Sequence, residues 1–212
     1  MPLIRIERVT ENRLVALWKI TESYEWFVKE LQPPVENLEL IGSYRSEHKK
    51  MEWLAGRLTV KRLMENAGLS YHGISKNYDG KPLLSEASAE ISLTHSYPYV
   101  AAILDTAQNE VGIDLEQPKD TLRRIAHKFL NEPEKKFVNN NLNKLCICWC
   151  VKESLYKIYS KRGISFSKHL HVPPFELNQE GVISGSIIVN GSKKSYKLQY
   201  EVNSDFILTY SL

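Results

Sequence analysis

The stretch Trp149-Cys150-Val151-Lys152-Glu153-Ser154-Leu155-Tyr156-Lys157 decides how this chain is read. It sits in a helix-favouring run from about Asn143 to Ser160. On a helix Trp149, Glu153 and Lys157 lie at i, i+4 and i+8 and share one face, with Lys152 flanking it. A simple packing surface does not need an aromatic ring, a carboxylate and two ammonium groups on one stripe. An isolated Glu-x-x-x-Lys pair is usually surface decoration worth about 0.2–0.5 kcal/mol, so this stripe needs a second element to mean more.

Gly112-Ile113-Asp114-Leu115-Glu116 supplies it. The stretch reads as a short strand, and period two puts Asp114 and Glu116 on one face with Ile113 and Leu115 on the other. Two neighbouring carboxylates repel unless water or a cation separates them. Together with Glu153 they make three hard oxygen donors. Such a set suits Mg2+, which keeps some waters and takes further ligands from phosphates. Lys152 and Lys157 are placed to hold those phosphates. Taken alone, Asp114 and Glu116 are equally well read as a solvated strand edge.

Composition limits the alternatives. With 212 residues, 42% hydrophobic and 25% charged, the chain can bury a sizeable core and is not a disordered segment. It contains no apolar run of the roughly 20 residues that cross a bilayer. Met1-Pro2-Leu3-Ile4-Arg5 carries charge where a signal peptide needs an apolar core, so a cytoplasmic location is expected. A net charge of +3 does not mark a nucleic-acid binder. Cys146, Cys148 and Cys150 point in divergent directions on a helix and form a poor metal cage. Buried packing in a reducing compartment is expected of them.

Outward from the two motifs the elements follow in order. Leu3 to Ile6 and Leu14 to Ile20 read as strands. Thr21 is the expected cap of a helix from Glu22 to about Leu31, stopped by Pro33-Pro34. Ser46 is the expected cap of a long helix to about Asn66, with Met51, Leu54, Ala55 and Leu58 as its buried stripe. Lys50, Trp53, Arg57 and Lys61 form another face, either a solvated basic surface or a phosphate-binding one. Asp79-Gly80 marks a turn that delivers Lys81-Pro82. Ile91 to Ser96 reads as a strand that closes on His95, and Val100 to Leu104 as its partner. Thr121 to His127 reads as helix. Asn131 with Glu134 three residues on is a helix-start capping box. Alternation from Ser195 to Val202 predicts a half-buried strand. The expected fold class is α+β, as two similar α/β lobes over residues 1–106 and 107–212 with a site at their junction.

At this point the chain resembles the 4'-phosphopantetheinyl transferase superfamily. G-I-D-L-E at Gly112 to Glu116, followed by W-C-V-K-E-S-L-Y-K at Trp149 to Lys157, is similar to its paired motifs. Leu54-Ala55-Gly56-Arg57, Gly80-Lys81-Pro82 and Ser92-Leu93-Thr94-His95-Ser96 extend the likeness over roughly Ser46 to Phe166. The length resembles the large two-lobed (Sfp-type) class, which implies a pseudo-dimeric fold within one chain and a monomer.

The resemblance implies a holo-[acyl-carrier-protein] synthase. Such an enzyme moves 4'-phosphopantetheine from coenzyme A to a serine of an apo acyl or peptidyl carrier protein and releases adenosine 3',5'-bisphosphate. By the same implication Asp114, Glu116 and Glu153 hold Mg2+, with Mn2+ as the alternative ion. Glu153 is the candidate base and Lys157 stabilises or protonates the departing phosphate. Lys152 contacts phosphate or pantetheine. His95, with Thr94 beside it, meets a coenzyme A phosphate, and Arg57 and Lys81 meet its 3'-phosphate or adenine end. Thr94 departs from the Ser usual at that position and keeps the hydroxyl. Lys135 and Lys136 are candidates for meeting an acidic carrier. Two other readings stay open. One is a non-catalytic relative that binds coenzyme A or a carrier protein. The other is a basic nucleic-acid-binding protein or metal-dependent nuclease, which the lack of a basic patch interleaved with aromatics disfavours.

Overall fold

The computed structural model describes residues 3–212, so the first two residues of the N-terminal charge argument lie outside the described ones. The architecture is mixed α/β, and the chain forms two compact units. One runs to Asn77 and resumes over Pro82–Asn109; the other comprises Tyr78–Lys81 and Glu110–Leu212. The expected division after residue 106 falls slightly earlier than this one and lacks the exchange of the Tyr78–Lys81 segment.

The first unit is built on a four-stranded antiparallel sheet. Its strands are β1 (Leu3–Arg8), β2 (Arg13–Lys19), β5 (Glu90–Ser96) and β6 (Tyr99–Asp105), in the order β1-β2-β6-β5. Arg13 to Trp18 and all of β6 are buried, which is why their apolar runs are continuous rather than alternating. The turn after β6 is fastened by Asp105. Its Oδ2 accepts from Arg13 at 2.7 Å and its Oδ1 from the Ala107 amide at 2.8 Å.

Helix α3 (Glu47–Asn66) lies across this sheet. Ser46 caps it by accepting from the Lys49 amide, and Leu54, Ala55 and Leu58 are buried, as the sequence predicts. Gly56 lets the helix close down: a Cβ there would sit 3.3 Å from Leu93 Cδ1. Helix α1 (Tyr24–Leu31) is capped by Ser23 rather than by the expected Thr21. Helix α2 (Val35–Gly42) follows directly, with Pro34 at its N-cap. The Pro33-Pro34 pair therefore ends one helix and begins the next. A two-stranded ribbon, β3 (Ile74–Lys76) with β4 (Pro82–Leu84), completes the unit.

The second unit carries a five-stranded antiparallel sheet. Its strands are β7 (Ile113–Glu116), β8 (Leu170–His171), β9 (Glu180–Val189), β10 (Ser192–Val202) and β11 (Ile207–Ser211), in the order β7-β11-β10-β9-β8. Helix α6 (Leu142–Tyr159) packs on the sheet, with α4 (Thr121–Phe129), α5 (Glu132–Val138) and α7 (Phe166–His169) contributing to the same unit. Asn131 and Glu134 form the expected capping box of α5. Cys146, Cys148 and Cys150 are free thiols, all buried, because α6 is enclosed on most of its circumference. Burial pushes the Cys148 and Cys150 thiols well up, which keeps both protonated.

Candidate active site

Gly112 sets the geometry of the site. A Cβ at this position would lie 2.1 Å from the Ser154 carbonyl oxygen and 2.9 Å from Ile158 Cγ1. Only a residue without a side chain lets α6 settle this close to β7. Around it Ser154 Oγ and Thr209 Oγ1 share a 2.7 Å hydrogen bond, and the Gly112 amide donates to Ser211 Oγ at 3.2 Å. This close approach carries the α6 stripe to the β7 carboxylates.

Trp149, Glu153, Tyr156 and Lys157 stay partly open while their neighbours from Leu145 to Ile158 are buried. The stripe expected from helical spacing is thus the open edge of an otherwise enclosed helix. Trp149 braces it, with its ring 5.0 Å from Phe129 and 5.7 Å from Phe166 between centroids. The Lys157 ammonium donates to the Ile113 carbonyl at 2.7 Å and to Asp114 Oδ1 at 2.8 Å.

Burial pushes the Glu153 carboxyl up to about 7. The Asp114 charge adds to the shift, Lys157 opposes it and Glu116 adds again. Asp114, Glu116, Glu153 and Lys157 therefore form one electrostatic group. Two carboxylates, Asp114 and Glu116, that raise the proton affinity of a third, Glu153, call for positive charge, and the hard oxygens of the three fit a Mg2+-type ion chemically. Among the described residues no three His, Cys, Asp or Glu side chains are already gathered as a metal cage. Lys157 is the cation that Asp114 holds.

Lys152 departs from expectation. Its side chain is fully buried, and its ammonium donates to the Phe129 carbonyl (2.6 Å), to Glu134 Oε2 (2.6 Å) and to the Phe166 carbonyl (3.1 Å). Glu134 also accepts from the Asn131 and Val172 amides, each at 2.9 Å. All three ammonium protons are used in tying α4, α5 and the start of α7 to α6. Lys152 is therefore a structural residue, and the expectation that it meets phosphate or pantetheine is corrected.

The remaining predicted residues fall in two places. In the first unit, Trp53, Arg57, Lys49, Lys76 and His95 help line a cleft of about 560 Å³. Arg57 stacks over the Trp53 ring at 3.4 Å and also faces an adjoining cavity of about 460 Å³, lined by Lys61 and Tyr71. Burial lowers the Arg57 pKa against the opposing influence of Tyr71 and Tyr44. Burial raises Tyr71 to about 12. Thr94 does not join His95 in this cleft. Along β5, Leu93 and His95 share the face that meets α3 and the cleft, while Thr94 is buried on the opposite face.

Lys81 belongs to the Tyr78–Lys81 segment of the second unit, where its charge acts on Glu110. Arg162 holds the same segment, donating to the Tyr78 carbonyl at 3.2 Å. Two contributors escaped the sequence reading. Glu52 pairs with His95, and no spacing rule singles it out. Glu134 anchors Lys152, although its capping-box position was legible.

Comparison with known proteins agrees with this geometry. Residues 110–211, just under half of the chain, match the sequence model of the 4'-phosphopantetheinyl transferase superfamily. A Haemophilus influenzae protein provisionally named 4'-phosphopantetheinyl transferase is 28% identical over 128 residues. That alignment takes in 55% of this chain and 54% of the relative, so the chain spans about half the length of the curated relative it matches. The part of the chain similar to that superfamily is the part that holds Gly112, Asp114, Glu116, Glu153 and Lys157.

Proposed function

We propose that this chain is a two-lobed 4'-phosphopantetheinyl transferase, a holo-[acyl-carrier-protein] synthase that acts on coenzyme A and an apo acyl or peptidyl carrier protein. The observation that carries the reading is the approach of Glu153 and Lys157 to Asp114 over a glycine that nothing larger can replace. The superfamily similarity of residues 110–211 supports it. The reading extends to a pseudo-dimeric arrangement of the two units, a monomer and a cytoplasmic setting. Among the described residues no helix is long and apolar enough to cross a membrane.

In the proposed reaction the carrier serine Oγ attacks the phosphorus bearing pantetheine. The Oγ–P bond forms, the P–O bond to adenosine 3',5'-bisphosphate breaks, and the serine proton passes to Glu153. Without metal, burial and the neighbouring carboxylates hold the Glu153 carboxyl near 7, closer than an ordinary carboxylate to the pKa that general-base catalysis favours; a bound cation would draw it down. Asp114, Glu116 and Glu153 are the proposed holders of Mg2+, with Mn2+ as an alternative. When bound, such an ion neutralises diphosphate charge and makes the phosphorus more open to attack. Lys157, hydrogen-bonded to Asp114, is proposed to stabilise the charge that develops on the departing phosphate. Arg57 and His95 are proposed to meet the adenosine and phosphate end of coenzyme A through the cleft of the first unit, and Lys81 to meet a phosphate from its own segment.

The test is incubation of the purified protein with coenzyme A, Mg2+ and several apo carrier proteins, followed by intact mass spectrometry. A phosphopantetheine-sized gain that disappears with chelator is expected. Binding of coenzyme A without gain on any carrier would instead favour a non-catalytic relative.

A further inference from the structure

The cleft of the first unit is lined by Lys49, Arg57, Lys76 and His95 together with one carboxylate, Glu52. A carboxylate on the wall of a cation-rich cleft opposes anion binding unless its charge is already engaged, and here both oxygens are engaged. Glu52 Oε1 accepts the Tyr97 amide at 3.1 Å. Glu52 Oε2 lies 3.2 Å from His95 Nδ1. The Glu52 side chain is only 12% exposed, while that of His95 is 51% exposed. Burial works to raise the Glu52 carboxyl, yet the bond and charge of His95, the Tyr97 amide and the nearby His48 hold it below its ordinary value. The His48 ring stacks on Tyr97 at 3.9 Å and fixes the same corner of the β5–β6 turn.

An exposed imidazole near the end of a strand is otherwise free to turn about two side-chain bonds. A carboxylate that accepts from Nδ1 removes that freedom and leaves Nε2 as the outward nitrogen. Orienting pairs of this kind fix the tautomer and direction of histidines that hold metals or phosphates. With Glu52 engaged at Nδ1, Nε2 is the ring nitrogen left to donate to a phosphate oxygen.

We propose that Glu52 is a positioning residue that aims His95 Nε2–H into the cleft, where it meets a phosphate group of the ligand. Under the function proposed above, on which the choice of ligand rests, that ligand is coenzyme A. Glu52 itself does not touch the ligand. Its effect passes through His95 alone.

Glutamine at this position has one carbonyl oxygen for two donors; the Tyr97 amide is fixed in the backbone and keeps it, so Glu52→Gln leaves His95 Nδ1 without its acceptor. Loss of one hydrogen bond to a charged group in a half-open setting corresponds to a weakening of about 3–10-fold. The experiment is calorimetric titration of coenzyme A into the full chain as wild type, Glu52→Gln, His95→Ala and the double variant. Nitrogen-15 NMR of the His95 ring accompanies it in the first two. Glu52→Gln is expected to weaken coenzyme A by about 3–10-fold and to have no further effect in the His95→Ala background, because the two residues act as one unit. The Nδ1-protonated state of His95 is expected in the wild type and lost in Glu52→Gln. Glu52→Asp, which keeps the charge but draws the carboxylate one methylene back, is expected to fall between them. Equal losses from Glu52→Gln in both backgrounds would overturn the proposal, as would an unchanged His95 ring. If the wild type does not bind coenzyme A, the function proposed above fails, and the NMR arm still decides whether Glu52 orients His95.

Discussion

Gly112→Ala is the smallest change that tests how the site is assembled. The new Cβ would meet the Ser154 carbonyl oxygen at 2.1 Å, whereas ordinary contact begins near 3.4 Å. The new Cβ is fixed to the backbone just before β7 and the oxygen belongs to the backbone of α6, so no rotamer change relieves the clash. The helix has to retreat by about 1.3 Å, which strains the Ser154–Thr209 hydrogen bond and the two Lys157 bonds to Ile113 and Asp114. Overpacking of this kind costs about 1–3 kcal/mol, and the rigidity of both partners puts this site at the upper end. A misplacement of about 1 Å between reacting groups costs roughly 100-fold in rate. Urea denaturation measures the first quantity, and single-turnover transfer to a carrier protein measures the second. Gly56→Ala is the control: its nearest neighbour is the flexible Leu93 tip at 3.3 Å, and a loss under about 1 kcal/mol is expected. A Gly112→Ala protein with wild-type stability and wild-type transfer would refute the claim that this glycine sets the helix-to-strand distance.

Three further outcomes follow from the same structure. Lys152→Met leaves Glu134 as a buried unpaired charge and is expected to cost about 3–5 kcal/mol in denaturant titration without weakening coenzyme A binding by the protein that remains folded. In metal-free protein the raised Glu153 carboxyl contributes stability that is present below pH 4.5 and lost as pH rises through about 7. The melting temperature of the wild type should therefore fall from pH 5 to pH 8 relative to Glu153→Gln, by the equivalent of about 1–3 kcal/mol. Charge reversal at Lys135 and Lys136 is expected to raise KM for the carrier several-fold and to leave KM for coenzyme A unchanged. Lys136 should carry most of that effect, since Lys135 already pairs with Glu132 at 2.6 Å.

Features governed by local chemistry were legible in the sequence. Ser46 and Asn131 are caps because a short polar side chain next to a helical run satisfies free amides wherever that run packs. That Trp149, Glu153 and Lys157 share one face follows from helical spacing alone. Features that depend on which side of an element is covered were not legible. Lys152 and Glu153 are adjacent charged residues, and only the positions of Phe129, Glu134 and Phe166 around α6 make one a buried tie and the other a site residue. Thr94 and His95 are equally plausible ligand contacts until the register of β5 against β6 assigns them to opposite faces. Helix α2 was hidden because Pro33-Pro34 reads as a stop, although a proline at a helix N-cap lacks only a donor the helix does not use. Strand β9 carries Gly181, Ser184, Gly185 and Ser186, small residues that weaken alternation while they admit the Tyr200 ring and the α6 side chains Leu155 and Val151.

The most direct test compares wild type with Glu153→Gln in single-turnover transfer from coenzyme A to whichever apo carrier gains mass, with coenzyme A affinity measured alongside. The account predicts a loss of at least about 100-fold in transfer, the usual scale for removing a general base, with affinity for coenzyme A retained. Transfer at the wild-type rate by Glu153→Gln would contradict it.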